Sequence, residues 1–551
     1  GEGRRASRVR NSRGPGRPMP ALFASPWRAA PPTASATTSA AARRAAVLGP
    51  AAPPLPAGAR ASATPARRTG SARGAAAPVR ADTYEVVECR FTPPAGVTVE
   101  CGDLLVPEDR STPEGRQIRL HVALFRSRSA TPAPDPIIYL EGGPGGHALA
   151  RAELAFNEWF APLLDDRDLI IFDQRGTGFS EPSLACGEIT ELGFELLDKD
   201  IPSAEANQLF TAAALRCRDR LAGEGINLAM YNSVASAADV ADLRIAMGYA
   251  EWNLLGVSYG TRLALTTMRN HPQGIRSVVL DSSVPLQSRE VETPANMQRA
   301  FRTLFDGCAA ASSCAAAYPD LEADFYDLVE RLNQNPVIRQ ANDPLSGEQY
   351  TVLLNGDSII SLTAQALYSS SIIPLLPIAI YGAARDIDYT LFAILAVSVT
   401  TQNAYFSYGM LYSVRCHEEI AFETREALAA ADDPFPEQRG VFDVETYLPV
   451  CDAWGAGAAE PIENEPVVSD LPALVLAGEY DPATPPEDGR ITAATLSNSH
   501  FFEFPGLGHG VSLEHSCARR ITLAFFADPS RAPPATCIAN LAAPAFIVPR
   551  R

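Results

Sequence analysis

The sequence predicts a mostly parallel α/β sheet with an inserted, mainly helical segment over the carboxyl edge of its strands. Three observations lead to this prediction. Several short runs are apolar on both faces, as buried parallel strands are. Helical stretches alternate with these runs, which is typical of strands joined by right-handed crossovers. The alternation stops after Pro285 and resumes near Pro466.

Each predicted element rests on a particular stretch of the sequence. Residues 97–109 and 118–127 alternate between apolar and polar side chains, so they predict an antiparallel hairpin. A helix with Val240 and Leu243 on one face is expected before the strand at 252–258, and another follows that strand and ends at Pro272. The parallel strands are predicted at 136–143, 168–176, 252–258, 275–283, 472–482 and 500–510.

This order of elements divides the chain into four parts. We expect residues 82–285 to form the first part of the core, 286–465 a mainly helical lid, and 466–540 the rest of the core. Residues 1–81 contain fourteen arginines and one acidic residue, Glu2, among many Ala, Pro, Ser and Gly. Such a segment buries too little apolar surface to fold, so a disordered leader or a targeting segment is expected, with organelle transit and twin-arginine export as alternatives.

Charge and hydropathy argue against several classes of partner. The formal net charge of −18 opposes binding to nucleic acid or to an anionic membrane surface. The most apolar stretch, residues 371–384, is too short and too rich in proline to span a bilayer, so no integral membrane segment is expected. The sequence carries no nucleotide-binding fingerprint and no metal-ligand spacing, so no cofactor and no metal are predicted.

Residues 256–260, GVSYG, predict a nucleophilic serine on a sharp turn between a buried strand and a helix. Gly256 and Gly260 suit a turn that leaves no room for side chains, and Ser258 is expected to be accessible at the end of the strand. A serine hydroxyl is a weak nucleophile, so it requires a base, and the base requires an acid that orients it.

The acid and the base are expected after Ser258 in the chain, in that order. Asp481 follows a predicted strand in AGEYDPATPP, and His509 lies in the loop FPGLGHG after the last strand. Because the carboxyl ends of parallel strands meet at one edge of a sheet, these loops are expected to converge. Three other residues of suitable type remain alternatives, namely Asp281 for the acid and His500 or His515 for the base.

Acyl transfer of this kind also needs two backbone N–H groups that stabilise an oxyanion. Tyr259, the residue after the serine, is expected to supply one. Gly143 is expected to supply the other, because the loop EGGPGG at residues 141–146 also follows a strand. In the next such loop, Asp173 and Arg175 are expected to pair with each other and to brace the site.

The ten cysteines predict disulfides and an oxidising compartment. Their number is even, and pairing each with its neighbour crosses no predicted catalytic element, although the sequence alone does not fix the connectivity. Free buried thiols are the alternative. With disulfides, we expect an extracytosolic location: secreted, periplasmic or an organelle lumen, plastid targeting included. The expected pairs are Cys89–Cys101, Cys186–Cys217, Cys308–Cys314, Cys416–Cys451 and Cys517–Cys537.

Five motifs in order resemble those of the α/β-hydrolase serine aminopeptidases: YLEGGPGG, DQRGTGFSEP, GVSYGTRLAL, AGEYDPATPP and GLGHG. These are the prolyl aminopeptidases and, more closely, the secreted tripeptidyl aminopeptidase-like proteins, and the resemblance covers about 85–540. It implies an α/β-hydrolase fold with a lid. It also implies a serine exopeptidase that cleaves after the N-terminal residue or short peptide of a substrate with a free N-terminus, through Ser258, His509 and Asp481.

The resemblance further implies a carboxylate that binds the α-ammonium group of the substrate. The stretch SVRCHEE resembles one near that pocket, so Glu418 and Glu419 are candidates, and Glu141 is another. His147 departs from the family pattern, in which a small residue often follows GGPGG. A carboxylesterase with the same triad is the alternative function, and it needs no ammonium pocket. A binding module without activity is disfavoured by the complete triad.

Overall fold

Eleven strands lie in the described residues, 83–549, of this computed structural model, and the leader expected at 1–81 lies outside them. In chain order they are β1 (Tyr84–Val87), β2 (Val99–Pro107), β3 (Gln117–Phe125), β4 (Ile137–Leu140), β5 (Leu169–Phe172), β6 (Trp252–Val257), β7 (Ile275–Asp281), β8 (Val337–Asn342), β9 (Gln349–Leu354), β10 (Ala473–Gly478) and β11 (Ser499–Phe504).

Nine of these strands form one sheet in the order β1-β2-β3-β5-β4-β6-β7-β10-β11. From β5 to β11 every neighbouring pair is parallel, whereas β1, β2 and β3 form an antiparallel extension at one edge. The predicted mostly parallel sheet and its hairpin are confirmed. The sequence analysis did not predict β1 or the separate β8–β9 hairpin, because these strands are short and half of the residues in β1 and β8 are exposed, so neither has a long buried apolar run.

The α-helices of the same residues surround the sheet, and none of those between residues 83 and 549 is long and apolar enough to cross a membrane. In chain order they are α1 (Ala148–Trp159), α2 (Gly187–Leu196), α3 (Ser203–Gly223), α4 (Ser233–Ala246), α5 (Tyr259–Asn270), α6 (Thr293–Ala310), α7 (Ser312–Ala317), α8 (Leu321–Gln334), α9 (Gly356–Leu367), α10 (Leu376–Ala384), α11 (Thr390–Gln402), α12 (Tyr408–Glu418), α13 (Arg425–Ala429), α14 (Tyr447–Trp454), α15 (Pro486–Ala493), α16 (Val511–Glu514) and α17 (Ser516–Ala527).

Both faces of the central strands are buried, which explains why their sequences are apolar throughout. Successive residues of β6 point to opposite faces: Leu254 packs with α4 and α5, and Leu255 packs with α1 and α17. Strand β10 repeats this alternation with Leu474 and Val475. The two apolar clusters therefore hold the sheet rigid from both sides and fix where its carboxyl edge lies.

A long segment is inserted between β7 and β10, which are neighbours in the sheet. It contains α6 to α14 and has its own apolar core, which includes Phe301, Phe325 and Phe392. Its later helices α12 and α14 pack instead against the sheet-side cluster through residues such as Val414 and Trp454. The segment is thus mainly helical, as expected, and one end of it is seated on the sheet; the predicted boundaries at 286 and 465 stay predictions.

The structure joins the ten cysteines in the five neighbouring pairs that the sequence analysis expected. The longest of these loops separates Cys416 from Cys451 by 35 residues, and the shortest separates Cys308 from Cys314 by 6. Since a cross-link removes more entropy from the unfolded chain when its loop is longer, the two are not expected to contribute equally.

We expect the Cys416→Ala/Cys451→Ala variant to lose about 4 kcal/mol of unfolding free energy, and the Cys308→Ala/Cys314→Ala variant about 2 kcal/mol. The measurement is denaturant unfolding of both double variants and the wild type under non-reducing conditions. A larger loss for the short loop would contradict the chain-entropy explanation.

Candidate active site

The predicted nucleophile turn is present between β6 and α5. Ser258 adopts φ 58° and ψ −128°, a backbone conformation that is strained for a residue with a side chain. A Cβ atom added at Gly256 would lie 2.4 Å from the carbonyl oxygen of Gly260, and one at Gly260 would lie 2.0 Å from that of Leu140. Glycine is therefore required on both sides of the turn, which presents Ser258 half-buried at the edge of the sheet.

Two N–H groups near Ser258 remain available for an oxyanion. The loop at residues 141–146, called the oxyanion loop below, lies against the serine: a Cβ atom at Gly142 would be 2.9 Å from Ser258 Cβ. The N–H of Gly142 donates to Glu141 Oε1 at 2.8 Å. Those of Gly143 and Tyr259 have no acceptor within residues 83–549, as the first N–H groups of a helix often lack one.

The structure brings the expected base and acid together. His509 Nδ1 lies 2.8 Å from Asp481 Oδ2, and Asp481 is fully buried. The Asp481 carboxylate also accepts hydrogen bonds from the N–H groups of Ala483 and Thr484 and from the Thr484 hydroxyl, at 2.7 to 3.0 Å. Burial disfavours the imidazolium form, but the charge and hydrogen bond of Asp481 outweigh it and raise the pKa of His509. The same contact lowers the pKa of Asp481 despite its burial.

The three alternative residues have other contacts. His500 lies within β11, and His515 accepts a hydrogen bond from the N–H of Cys517 at the start of α17. The carboxylate of Asp281 accepts hydrogen bonds from the N–H groups of Val511 and Ser512, at 3.1 and 2.7 Å. Burial raises the pKa of Asp281 to about 6.

Asp281 connects the serine turn to the histidine loop. Its carbonyl oxygen accepts the N–H of Ser258 at 3.0 Å, while its carboxylate binds the backbone that follows His509. A Cβ atom at Gly510 would lie 3.5 Å from Val257 Cγ1, so the neighbours of Ser258 and His509 are in contact. The loops converge because β6, β7, β10 and β11 are adjacent and parallel.

Two of the three candidate ammonium-binding carboxylates are already paired. Glu141 binds the N–H of Gly142 through one oxygen, and its other oxygen is 2.9 Å from Arg151 Nε. Glu418 Oε2 accepts from Arg262 Nε at 3.0 Å, and its Oε1 accepts the N–H of Ser233. Both carboxylates already lie against an arginine, although Glu141 Oε2, like Glu419 Oε2, has no hydrogen-bond partner within residues 83–549.

Glu419, the third candidate, lies between two guanidinium groups. Its Oε2 lies 3.7 Å from Arg415 Nε and has no hydrogen-bond partner within residues 83–549, and its Oε1 is 4.0 Å from Arg262 Nη1. Burial raises the pKa of Glu419, but these two guanidinium groups outweigh burial and hold the pKa below its ordinary value. The carboxylate is therefore ionised at neutral pH.

Glu290 is a site residue that the sequence analysis missed. Its Oε2 accepts a hydrogen bond from Arg415 Nη1 at 3.0 Å, and the charge of Glu419 acts on its carboxyl group. Burial and the neighbouring Glu419 raise the pKa of Glu290 to about 8, although Arg415 opposes the shift. The acidic pair of REVE, at the start of the inserted segment, was the available sequence signal, but nothing local indicated its partner.

Tyr368 lies between the acid–base pair and this carboxyl pair. Its ring centroid is 5.0 Å from that of His509. Burial raises the pKa of its hydroxyl, and the charges of Asp481, Arg415 and Glu290 all act on it. The ring of Tyr368 therefore lies beside His509, and the charge of Glu290 reaches its hydroxyl group.

The expected pairing of Asp173 with Arg175 is wrong. Asp173 accepts the N–H groups of Leu149 and Phe179 instead, and burial raises its pKa to about 7. Arg175 forms a buried two-point ion pair with Asp239, at 2.6 and 2.7 Å. Each residue braces its loop against a different neighbour, because the turn between them points the two side chains apart.

His147, the departure from the family pattern, contacts the inserted segment. The ring nitrogen Nε2 of His147 lies 3.0 Å from the Ser407 hydroxyl, and the backbone N–H of His147 donates to the carbonyl of Tyr405. Burial and the nearby Arg151 lower the pKa of His147 to about 4, so it is neutral at physiological pH. It therefore holds the oxyanion loop against the insertion.

Within residues 83–549 one group of three residues has the spacing of metal ligands: Cys186, Glu188 and Cys217. Cys186 and Cys217 form a disulfide, so neither offers a thiolate. This group therefore has no thiolate donors for an ion.

A parallel sheet, a serine on a strained strand–helix turn and a histidine–aspartate pair after the last strands define an α/β-hydrolase. The chain has this fold: a family model described as alpha/beta hydrolase fold matches residues 135–356, and one described as TAP-like protein matches residues 440–537. These matches also confirm the resemblance to the serine aminopeptidases.

Three relatives at modest identity agree with this assignment. Serine protease Hip1 of Mycobacterium tuberculosis is 25% identical over 454 residues, which cover 77% of this chain and 84% of the relative. Carboxylesterase B of the same species is 27% identical over 459 residues, 78% of this chain and 84% of the relative. Tripeptidyl aminopeptidase of Streptomyces coelicolor is 31% identical over 210 residues, 36% and 38% of the two chains.

We expect Asp481→Asn to lower kcat roughly 10⁴-fold, because the amide stabilises the wrong tautomer of His509. Only neutral His509 acts as a base, and Asp481 raises its pKa above the ordinary value of about 6.5. The acid limb of the kcat/KM–pH profile therefore lies above pH 6.5 in the wild type and moves to lower pH in the variant. Asp470→Asn, a substitution of an exposed residue, is the control. An acid limb that stays at the same pH in Asp481→Asn would contradict the role of Asp481.

Proposed function

We propose that the protein is a serine aminopeptidase that cleaves the amide bond after the N-terminal residue or short N-terminal peptide of its substrate. The His509–Asp481 pair, at the sheet edge where Ser258 is presented, is the observation that carries this proposal. The relatives named as a serine protease and a tripeptidyl aminopeptidase support the same reaction class.

The reaction follows from the roles of these groups. Neutral His509 removes the proton of Ser258, whose oxygen attacks the substrate carbonyl and forms a tetrahedral oxyanion. The free N–H groups of Gly143 and Tyr259 stabilise that oxyanion. His509 then donates its proton to the leaving amine, and a water molecule, activated by the same histidine, releases the acyl group.

The carboxyl pair explains selectivity for a free N-terminus. Glu290 holds a proton at neutral pH and Glu419 is ionised, so Glu419 is the carboxylate of the pair assigned to the ammonium group. Arg415 and Arg262 hold the pair in place without a close hydrogen bond to Glu419 Oε2. A buried ammonium needs such a countercharge, whereas an acetylated N-terminus does not.

The five disulfides support an extracytosolic location for this activity. A carboxylesterase is the second candidate function, favoured by the relative that bears that name. It would use the same serine and histidine and would gain nothing from Glu419.

Matched chromogenic amides distinguish the two functions. Pro- and Ala-Ala-Pro- anilides are compared with a free and with an acetylated N-terminus, and simple nitrophenyl esters are assayed in parallel. We expect the anilides with a free N-terminus to be cleaved and the acetylated anilides to remain intact. The Ser258→Ala variant should cleave neither. Hydrolysis of esters without any amide cleavage would contradict the aminopeptidase and favour the esterase.

We expect Glu419→Gln to raise KM for free-amine amides roughly 10- to 100-fold, since it removes a hydrogen bond to a charged group worth about 1.5–3 kcal/mol. Hydrolysis of a neutral ester is expected to change little. Glu290→Gln should raise KM less, because Glu290 is already neutral at pH 7. The exposed neighbour Glu292→Gln serves as the control, and an equal loss on the ester would argue against ammonium binding.

A further inference from the structure

The inserted segment is hydrogen-bonded to three loops that carry the proposed catalytic groups. The N–H of His509 donates to the carbonyl of Tyr368 at 2.9 Å. In the oxyanion loop, the carbonyl of Gly145 accepts the N–H of Ser407 at 2.8 Å. The loop of Asp481 is the third, and there a side chain of the insertion makes the contact.

Arg299 of α6 binds the backbone of the Asp481 loop at two points. Its Nη1 donates to the carbonyl of Glu479 at 2.8 Å, and its Nη2 donates to the carbonyl of Asp481. The N–H groups of Glu479 and Tyr480 donate in the opposite direction, to carbonyls of β11 and the loop after it. The loop is therefore held between the sheet and the guanidinium group.

The side chain of Tyr480, the residue between Glu479 and Asp481, also packs against the insertion. Tyr480 is 1% exposed and packs into the insertion's own apolar core. A Cβ atom at Gly307 of α6 would lie 2.1 Å from the Tyr480 hydroxyl oxygen, so the helix approaches the loop as closely as glycine allows. Helix α6 thus fixes both the backbone and a side chain next to Asp481.

Arg299 also places a positive charge beside the catalytic acid. Burial lowers its pKa, and its Nε is buried without a hydrogen-bond partner within residues 83–549. A cation in such a position is costly unless its other contacts offset the desolvation. The acidic groups that act on it come from the loop between β10 and α15, from α15 and from β11: Asp481, Glu503, Asp488 and Glu479.

We propose that Arg299 is a positioning residue of the catalytic apparatus: it fixes the Asp481 loop and, through Asp481, the orientation of the His509 ring. This inference rests on the proposed role of Asp481 and His509. It makes the insertion a support for the catalytic loops as well as a cover over them. Arg299 itself touches neither the substrate nor the reacting atoms.

The test replaces Arg299 by Met, which keeps the aliphatic length and removes the charge and both donors. Arg302→Met on the same helix is the matched control, since Arg302 is exposed. Rates on a nitrophenyl ester and on a free-amine anilide are expressed per active serine, counted by exhaustive labelling with a fluorophosphonate.

We expect Arg299→Met to lower kcat roughly 10- to 100-fold on both substrates, because a small misplacement of catalytic groups lowers the rate by about this factor. KM should change little, because substrate contacts are intact. The acid limb of the kcat–pH profile should move to higher pH, since loss of a nearby positive charge favours protonated His509. Arg299→Lys, which keeps the charge, should restore the limb and part of kcat.

An unchanged kcat and pH limb in Arg299→Met, or an equal loss in Arg302→Met, would overturn the proposal. If neither Arg299 variant folds, as judged by circular dichroism and the count of active serines, the residue serves the fold alone and the proposal is wrong. Activity that survives in Ser258→Ala would instead contradict the proposed function, which separates the two failures.

Discussion

The hydrogen bond between His509 Nδ1 and Asp481 Oδ2 is the interaction on which the rest of the site depends. A carboxylate as deeply buried as Asp481 is costly unless donors surround it, and the backbone and hydroxyl of Thr484 complete its shell. The bond fixes the tautomer of the imidazole and leaves Nε2 for the serine side. In the proposed mechanism, the imidazolium that forms during acyl transfer is stabilised by the same carboxylate.

The sheet brings these groups to one edge but does not by itself hold the loops that carry them. Strand pairing ends at Gly478 and Phe504, before Asp481 and His509 are reached. Beyond those points the loops bind each other, Asp281 and the inserted segment. The residues of both proposals, Glu290 and Glu419 for binding a free N-terminus and Arg299 for positioning the Asp481 loop, therefore belong to the same inserted segment.

The parts of the site that the sequence predicted are those with a local cause. A strained turn demands glycine at fixed positions, so GVSYG identified Ser258, and chain order after it pointed to Asp481 and His509. The parallel strands were recognisable because burial on both faces makes their sequences apolar throughout. The disulfide pairs of the structure are the neighbours along the chain, the simplest of the possible connectivities.

The remaining parts depend on contacts between distant segments. Glu290 meets Arg415 across 125 residues, and Arg299 meets Asp481 across 182, so no local pattern marks either residue. The same dependence on distant contacts explains why the predicted pairing of Asp173 with Arg175 was wrong. The two residues are two positions apart but bind different neighbours. Glu418 and Glu419 are adjacent and alike in sequence, yet Glu418 pairs with Arg262 at 3.0 Å whereas Glu419, just past the end of α12, lies 3.7 Å from Arg415.

Identification of the residue that a fluorophosphonate labels tests the central claim most directly. The full chain is treated with the reagent, digested and analysed by mass spectrometry, with His509→Ala treated in parallel. The structure leads us to expect one adduct, on Ser258, formed much more slowly in His509→Ala. An adduct on a different residue, or no adduct on the folded wild-type protein, would contradict the proposal that Ser258 is an activated nucleophile.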